Sequence, residues 1–315
     1  MNKKIVYVTG CLGFIGSHIT EMCLSKGWYV IGVDKCTYAS NEGWIDSWGM
    51  RYPDHFTFIK KDINDLDRLY ECDYIINTAA ETHVDNSIED SDAFVHSNIA
   101  GVHNLLKLIN AKKFRRPVFL HFSTDEVYGD IQHGSHTETD LLKPSNPYSA
   151  TKASADMLIL AWARTFGINY VIVRPTNNYG IGQYVEKLIP KSVKFMTVGR
   201  QIELHDGGLP RRTWLHADDT ARAVITIIDS GVTDEIYNIG GNYEEMNLIV
   251  VKKIIKIFNN DSDHTKYIKD MVRPGQDVRY SVDDSKLRNL GWRPQADFDT
   301  ELAKIVQYYK ENFIW

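Results

Sequence analysis

Cysteine is scarce in this chain, with four residues among 315. They are Cys11, Cys23, Cys36 and Cys72, all in the first quarter. No two form a C-x-x-C pair, and the spacings suit neither a zinc site nor a disulfide framework, so no metal centre is expected. Reduced thiols in a cytoplasmic protein are the favoured reading. Basic runs are equally short. No block of Lys or Arg exceeds two residues, and 36 basic side chains face 41 acidic ones for a formal charge of -5. That balance leaves no electrostatic footprint for a nucleic acid. The apolar run after Met1-Asn2-Lys3-Lys4 is too short for a signal peptide or a membrane span, so no membrane partner is expected. Internal repeats and low-complexity segments are also absent.

What is present is a rhythm. Apolar residues make up 43% of the chain, enough for a sizeable core, and the length suggests two domains. Lys4–Thr9, Tyr29–Val33, Phe56–Lys60, Tyr74–Asn77, Val118–Ser123 and Asn169–Arg174 read as strands, apolar nearly throughout. Between them Ile15–Lys26, Asn64–Tyr70, Ile88–Asn110 and Pro147–Phe166 read as helices. This alternation predicts an α/β fold, a Rossmann-type doubly wound parallel sheet, over residues 1–176. Loops then separate shorter elements, which reads as a smaller C-terminal α/β substrate domain over 177–315. The stretch 211–231, with a helix at His216–Asp229, is expected to rejoin the first domain.

The first strand runs into Gly10-Cys11-Leu12-Gly13-Phe14-Ile15-Gly16. Glycines at 10, 13 and 16 follow G-x-x-G-x-x-G between a strand and a helix. They permit a tight turn and let backbone N–H groups approach a pyrophosphate. Asp34, at the end of the second strand, stands where an acid would bind ribose hydroxyls and repel a 2′-phosphate, which favours NAD over NADP. Asp62, after the third strand, faces the adenine edge or caps a helix; spacing leaves both open.

Tyr148 and Lys152 lie four apart and so share a helix face. A cation beside a phenol favours phenolate, which would make Tyr148 a base. With 17 tyrosines, about one Y-x-x-x-K arises by chance, so position carries this argument. Ser123-Thr124-Asp125-Glu126 leaves the fifth strand. Read locally, Ser123-x-x-Glu126 is a capping box. Read by place, Thr124, Asp125 and Glu126 sit at the carboxyl edge of the sheet, where ligands bind. Two adjacent acids that cannot both ionise cheaply split into a base, Glu126, and an acid, Asp125. With C4 of a sugar oxidised to a ketone, the neighbouring C–H becomes acidic, and the pair can expel water.

At these residues the chain resembles the dTDP-glucose 4,6-dehydratases of the extended short-chain dehydrogenase/reductase superfamily. The likeness runs through TGCLGFIGS, DKCTYASN, AAETHVDNSI, STDEVYGD, NPYSATKASAD, RPTNNYG, EKLIP, ADDTARA, YNIGG, RPGQDVRY and LGWRP. It implies bound NAD, a nucleotide-diphosphate glucose substrate, a 4-keto-6-deoxy product and a homodimer. It implies catalytic roles for Thr124, Asp125, Glu126, Tyr148 and Lys152. It places Phe14, Ile15, Lys35, Cys36, Thr37, Ile63, Ala79, Ala80 and Asn178 beside the glycines, Asp34, Asp62, Tyr148 and Lys152 at the cofactor. It places Thr82, His83, Thr124, Asn177, Lys187, Leu188, His205, Arg212, Asn247, Arg273 and Gln276 at the substrate. Without the resemblance, Lys187 and Arg212 read as solvated surface charge.

Four residues depart from the family pattern. Cys11 stands where Gly is usual, tolerable if its φ is negative. Thr213 replaces an Asp, His205 a Tyr and Gln276 a His. The last three fall on the nucleotide side, so the reaction is better defined than the base. A methyl group is worth only about 1–3 kcal/mol of discrimination, which leaves dTDP-glucose and UDP-glucose both open. An epimerase or decarboxylase of the same superfamily and a non-catalytic NAD-binding regulator are rival readings. The epimerases lack the acid pair, and the UDP-glucuronate decarboxylases carry Ser at the place of Asp125.

Overall fold

The apolar runs become the strands of one seven-stranded sheet. The structure, a computed structural model, describes residues 3–112, 115–261, 263–272 and 277–312. In chain order β1 (Ile5–Thr9), β2 (Tyr29–Asp34), β3 (Phe56–Lys60), β4 (Tyr74–Asn77), β5 (Val118–Phe122) and β6 (Tyr170–Pro175) pair in parallel. Then come β7 (Asn177–Tyr179), β8 (Ile202–His205), β9 (Arg211–His216), β10 (Glu235–Ile239), β11 (Tyr243–Met246) and β12 (Ile268–Met271). The order across the large sheet is β10-β6-β5-β4-β1-β2-β3. The order reverses between β1 and β4, which opens a crevice at their carboxyl ends.

Alternate residues of each strand serve opposite faces. Val6, Val8, Leu120, Val171 and Val173 pack under the helices Phe14–Ser25 and Ala217–Ser230. Tyr7, Phe119 and Ile172 face Gly101–Asn110 and Pro147–Phe166. Both faces are therefore dry, which is why the strands read as unbroken apolar runs. A third core, with Val193, Trp214, Ile254 and Leu302, belongs to the C-terminal half. That half holds the three-stranded sheet β11-β9-β7 and the pair β12-β8.

Two expectations need correction. Asn64–Tyr70 is not helical. Asp62 accepts from both the backbone N–H and the side-chain amide of Asn64, an Asx turn that competes with a helix. The amide of Asn104 then bonds the carbonyls of Ile63 and Leu66, so this backbone has tertiary partners instead. Ile88–Asn110 is interrupted: a helix Val84–Glu89 ends at Asp90, which is extended, and the chain passes through a π-helical turn, Val95–Ala100, before Gly101–Asn110. Asp90 bonds the N–H of Asp92 and restarts the chain there. The large sheet also takes in β10, which follows the rejoining stretch at 211–231 and pairs with β6. A further helix, Gly43–Arg51, had no expectation attached, because its two glycines disguise it. It is held by tertiary contact: Trp48 is buried, stacks on Trp44 and donates to Glu21.

Behind the fifth strand lies a buried ion pair. Arg174 donates to Asp156 at 3.0 Å, and both side chains are almost fully enclosed. Asp156→Ala leaves the guanidinium buried without its carboxylate, so urea unfolding is expected to show a loss of about 3–5 kcal/mol. A loss under about 1 kcal/mol would mean that water reaches Arg174 freely.

Candidate active site

The crevice between β1 and β4 opens into a cavity of about 310 Å³. Its floor is the glycine turn. Gly10 has φ +70°, and a Cβ there would lie 2.8 Å from the Ala79 backbone. A Cβ on Gly16 would meet the Gly10 carbonyl at 2.0 Å, so helix and turn touch through this glycine. The positive φ falls on Gly10 and not on Cys11, which meets the condition set for that departure. The helix Phe14–Ser25 has Gly13 at its cap, no capping side chain and no acid in its first turn. Its N-terminal N–H groups and dipole are left for an anion.

Asp34 is buried beside this turn. It accepts from the N–H of Leu12 at 3.0 Å, the N–H of Cys36 at 2.8 Å and the hydroxyl of Ser40 at 3.0 Å. A carboxylate offers about four acceptor positions, so one remains for a ribose hydroxyl. The same bonds hold Cys36 at φ 59°. Lys35 reaches Glu81 at 3.2 Å and Ser97 at 3.1 Å and stands 3.8 Å from Asp62. The carboxylate at the end of β2 and the uncapped helix fit a dinucleotide without a 2′-phosphate.

The catalytic candidates close the other end of the cavity. Thr124 has extended φ/ψ and caps a short 3₁₀ turn, Asp125–Tyr128. Ser123 takes no part in a capping box; its hydroxyl donates to Asp156 at 3.0 Å. The Ser123 capping box is therefore absent, although both acids lie in the first turn of the segment that Thr124 caps. Thr124 donates to Asp125 at 3.2 Å, and Asn146 donates to Glu126 at 3.3 Å. Burial, then the charge of Glu126, pushes the Asp125 carboxyl up to about 7. Burial also raises Glu126, while Arg212 pulls both acids down.

Tyr148 lines the same cavity. The expected lowering of its pKa is not found in this structure. Burial and then Glu126 raise it, against a bond to Thr124. The reason is geometric: the Lys152 ammonium donates to the Phe122 carbonyl, and burial lowers it to about 8.

The cavity wall includes Gly10, Gly13, Phe14, Ile15, Gly16, Asp34, Lys35, Thr37, Asp62, Ile63, Ala79, Ala80, Thr82, Thr124, Asp125, Glu126, Tyr148, Asn177, Asn178 and Lys187. Cys36, Lys152, His83, Leu188, His205, Arg212 and Asn247 stand outside it. His83 caps the helix Val84–Glu89, and Leu188 packs into the C-terminal core. Arg212 is no surface charge: it is buried, lies 4.6 Å over the Tyr280 ring and donates to the Asp277 carbonyl. Lys187 donates to Thr82 at 3.1 Å, which ties the two halves of the chain. Asn247 keeps a buried side-chain oxygen with no hydrogen-bond partner. Arg273 and Gln276 lie outside the described residues.

Other residues at the site carried no expectation. Glu186 lines the cavity and accepts from Tyr38 at 3.3 Å. Tyr280 donates to Asp277 behind Arg212. Both come from motifs already noted, EKLIP and RPGQDVRY, but only the folded chain brings them to the acids.

The profile of the GDP-mannose 4,6 dehydratase family matches residues 7–305. The chain is 38% identical to a dTDP-glucose 4,6-dehydratase of Haemophilus influenzae, over 98% of each. A solved dTDP-glucose 4,6-dehydratase of Streptomyces venezuelae, with NAD bound, superposes with a TM-score of 0.91 at 36% identity, covering 98% of this chain and 97% of that one. A trifunctional Arabidopsis thaliana enzyme that includes UDP-glucose 4,6-dehydratase is 37% identical over 99% of this chain and 48% of its own length.

The proton affinity of Asp125 has a consequence for stability. Its folded pKa of about 7 lies above its unfolded value near 4, so its contribution is full below about pH 4 and is lost as pH rises through 7. Asp125→Asn is therefore expected to gain up to a few kcal/mol over the parent protein between pH 4 and pH 8 in urea unfolding. The same stability difference at both pH values would mean that Asp125 ionises without penalty.

Proposed function

The chain belongs to the dTDP-glucose 4,6-dehydratase family, and from that premise we propose that it removes water from a nucleotide-diphosphate glucose, dTDP-glucose foremost, to give the 4-keto-6-deoxy sugar. The observation that carries this reading is the adjacent pair of buried Asp125 and half-buried Glu126 on the cavity that Tyr148 also lines. NAD, bound in the crevice, would supply a hydride acceptor for C4 and a hydride donor for C6. Gly10, Gly13, Gly16 and the helix Phe14–Ser25 would hold its pyrophosphate, and Asp34 a ribose hydroxyl.

Tyr148 takes the proton of the C4 hydroxyl, with Thr124 bonded to it. Lys152, one turn further, stabilises the phenolate once its ammonium leaves the Phe122 carbonyl. The C4 ketone then makes C5–H acidic. Glu126, ionised, removes that proton. Asp125, with an affinity near neutral pH, keeps a proton for the departing C6 hydroxyl. Arg212 pulls both acids toward the ionised form and so opposes the double protonation that burial favours.

The division at residue 176 is part of this reading: the first half with the helix Ala217–Ser230 and β10 binds cofactor, and the rest binds the nucleotide through Asn177, Lys187, Arg212 and Asn247. UDP-glucose is the second reading, supported by the likeness to the Arabidopsis enzyme. A homodimer packed through the helices near Ile88–Asn110 and Pro147–Phe166 is supported by apolar side chains left exposed there, Val95, Met157 and Phe166. No helix among the described residues is long and apolar enough to cross a membrane, and a cytoplasmic site rests on the unpaired cysteines.

The test is incubation with dTDP-glucose and UDP-glucose separately, with no cofactor added. Mass loss of one water supports the reading, the relative rates decide the base, and no loss with either sinks it. Tyr148→Phe is expected to lower turnover about 10²–10⁴-fold. Glu126→Gln and Asp125→Asn are expected to stop at the C4 ketone, visible as trapped reduced nicotinamide. Full-rate product from both would assign the acids a structural role.

A further inference from the structure

Asn146 is the cap of the helix that carries Tyr148 and Lys152. Its side-chain oxygen accepts from the N–H of Ser149 at 2.9 Å, and its own N–H donates to the Ser149 hydroxyl at 3.2 Å. The cap decides how the amide lies. With the oxygen held at Ser149, the nitrogen must face the other way. There it donates to Glu126 Oε2 at 3.3 Å. The residue before it, Ser145, is anchored by its hydroxyl to Asp277 of the C-terminal half. Ser and Asp cap helices about as well as Asn does, so the cap by itself does not call for an amide. Asn146 accepts from the helix and donates to the anion through two separate atoms, which a carboxylate cannot do and a hydroxyl does only through a single oxygen.

We propose that Asn146 is a positioning residue for the elimination step: it holds one oxygen of Glu126 with a neutral donor, turns the other toward C5, and fixes the base and the tyrosine in one frame. This rests on the reading of Glu126 as the C5 base. Two consequences separate it from a purely structural cap. Loss of the donor impairs proton removal at C5 and leaves C4 oxidation intact. It also makes Glu126 harder to ionise, so the acid limb of the elimination rate moves to higher pH.

The experiment compares Asn146→Ser and Asn146→Asp with Glu126→Gln. The readouts are solvent deuterium entering C5, water loss, and reduced nicotinamide formed in a single turnover. Asn146→Ser keeps a cap and is expected to slow elimination at least about tenfold, with C4 oxidation within about twofold. Asn146→Asp keeps the cap and sets a second carboxylate against Glu126, so its acid limb moves further upward. If both variants eliminate at the parent rate and pH while Glu126→Gln stalls, Asn146 is only a cap and the proposal falls alone. Equal loss of oxidation and elimination overturns it too, since that reports on Tyr148. Full-rate elimination by Glu126→Gln overturns the base assignment and this inference together.

Discussion

Two neighbouring carboxylates share one poorly solvated wall, and the cost of charging both governs the site. Asp125 and Glu126 follow each other at the end of β5, with Asp125 only 4% exposed. In water the pair would carry two charges. Here burial lifts both affinities, and the guanidinium of Arg212 opposes that lift. In the proposed elimination, one proton between two acids is the state required: a bare oxygen for a C–H and a protonated one for a leaving hydroxyl.

The surrounding fold keeps this arrangement from relaxing. Ser123, Asp156, Arg174 and Tyr128 form a connected polar network behind β5, so the strand end does not swing out to solvent. Asn146 joins the acid wall to the start of the tyrosine helix. Asp277 and Tyr280 bring Arg212 over from the other half of the chain. The charge balance of the site is thus shared between both halves. The first half alone holds the acids and the tyrosine; the cation that steadies them arrives on β9.

The parts that read well before folding were those set by short-range rules. Strands buried on both faces announce themselves as apolar runs, and the helix Pro147–Phe166 carries its own cap and proline. Asn64–Tyr70 failed because an Asx turn and the distant Asn104 satisfied its backbone. The helix Gly43–Arg51 was hidden because packing of Trp48, not propensity, holds it. Arg212 read as a surface charge unless the family likeness was invoked, since nothing near it in the chain shows that Tyr280 and Asp277 will enclose it.

Taken alone, the order of residues determined the sheet, the glycine turn, the Y-x-x-x-K pair and the presence of two adjacent acids, because each depends on contacts within a few positions or on simple periodicity. Tertiary structure decided the raised proton affinity of those acids, the bond that holds the Lys152 ammonium at Phe122, and the double use of Asn146. Those outcomes depend on burial and on charges brought from far along the chain, and electrostatic energy is set by distance in space and by the exclusion of water, neither of which a linear string records.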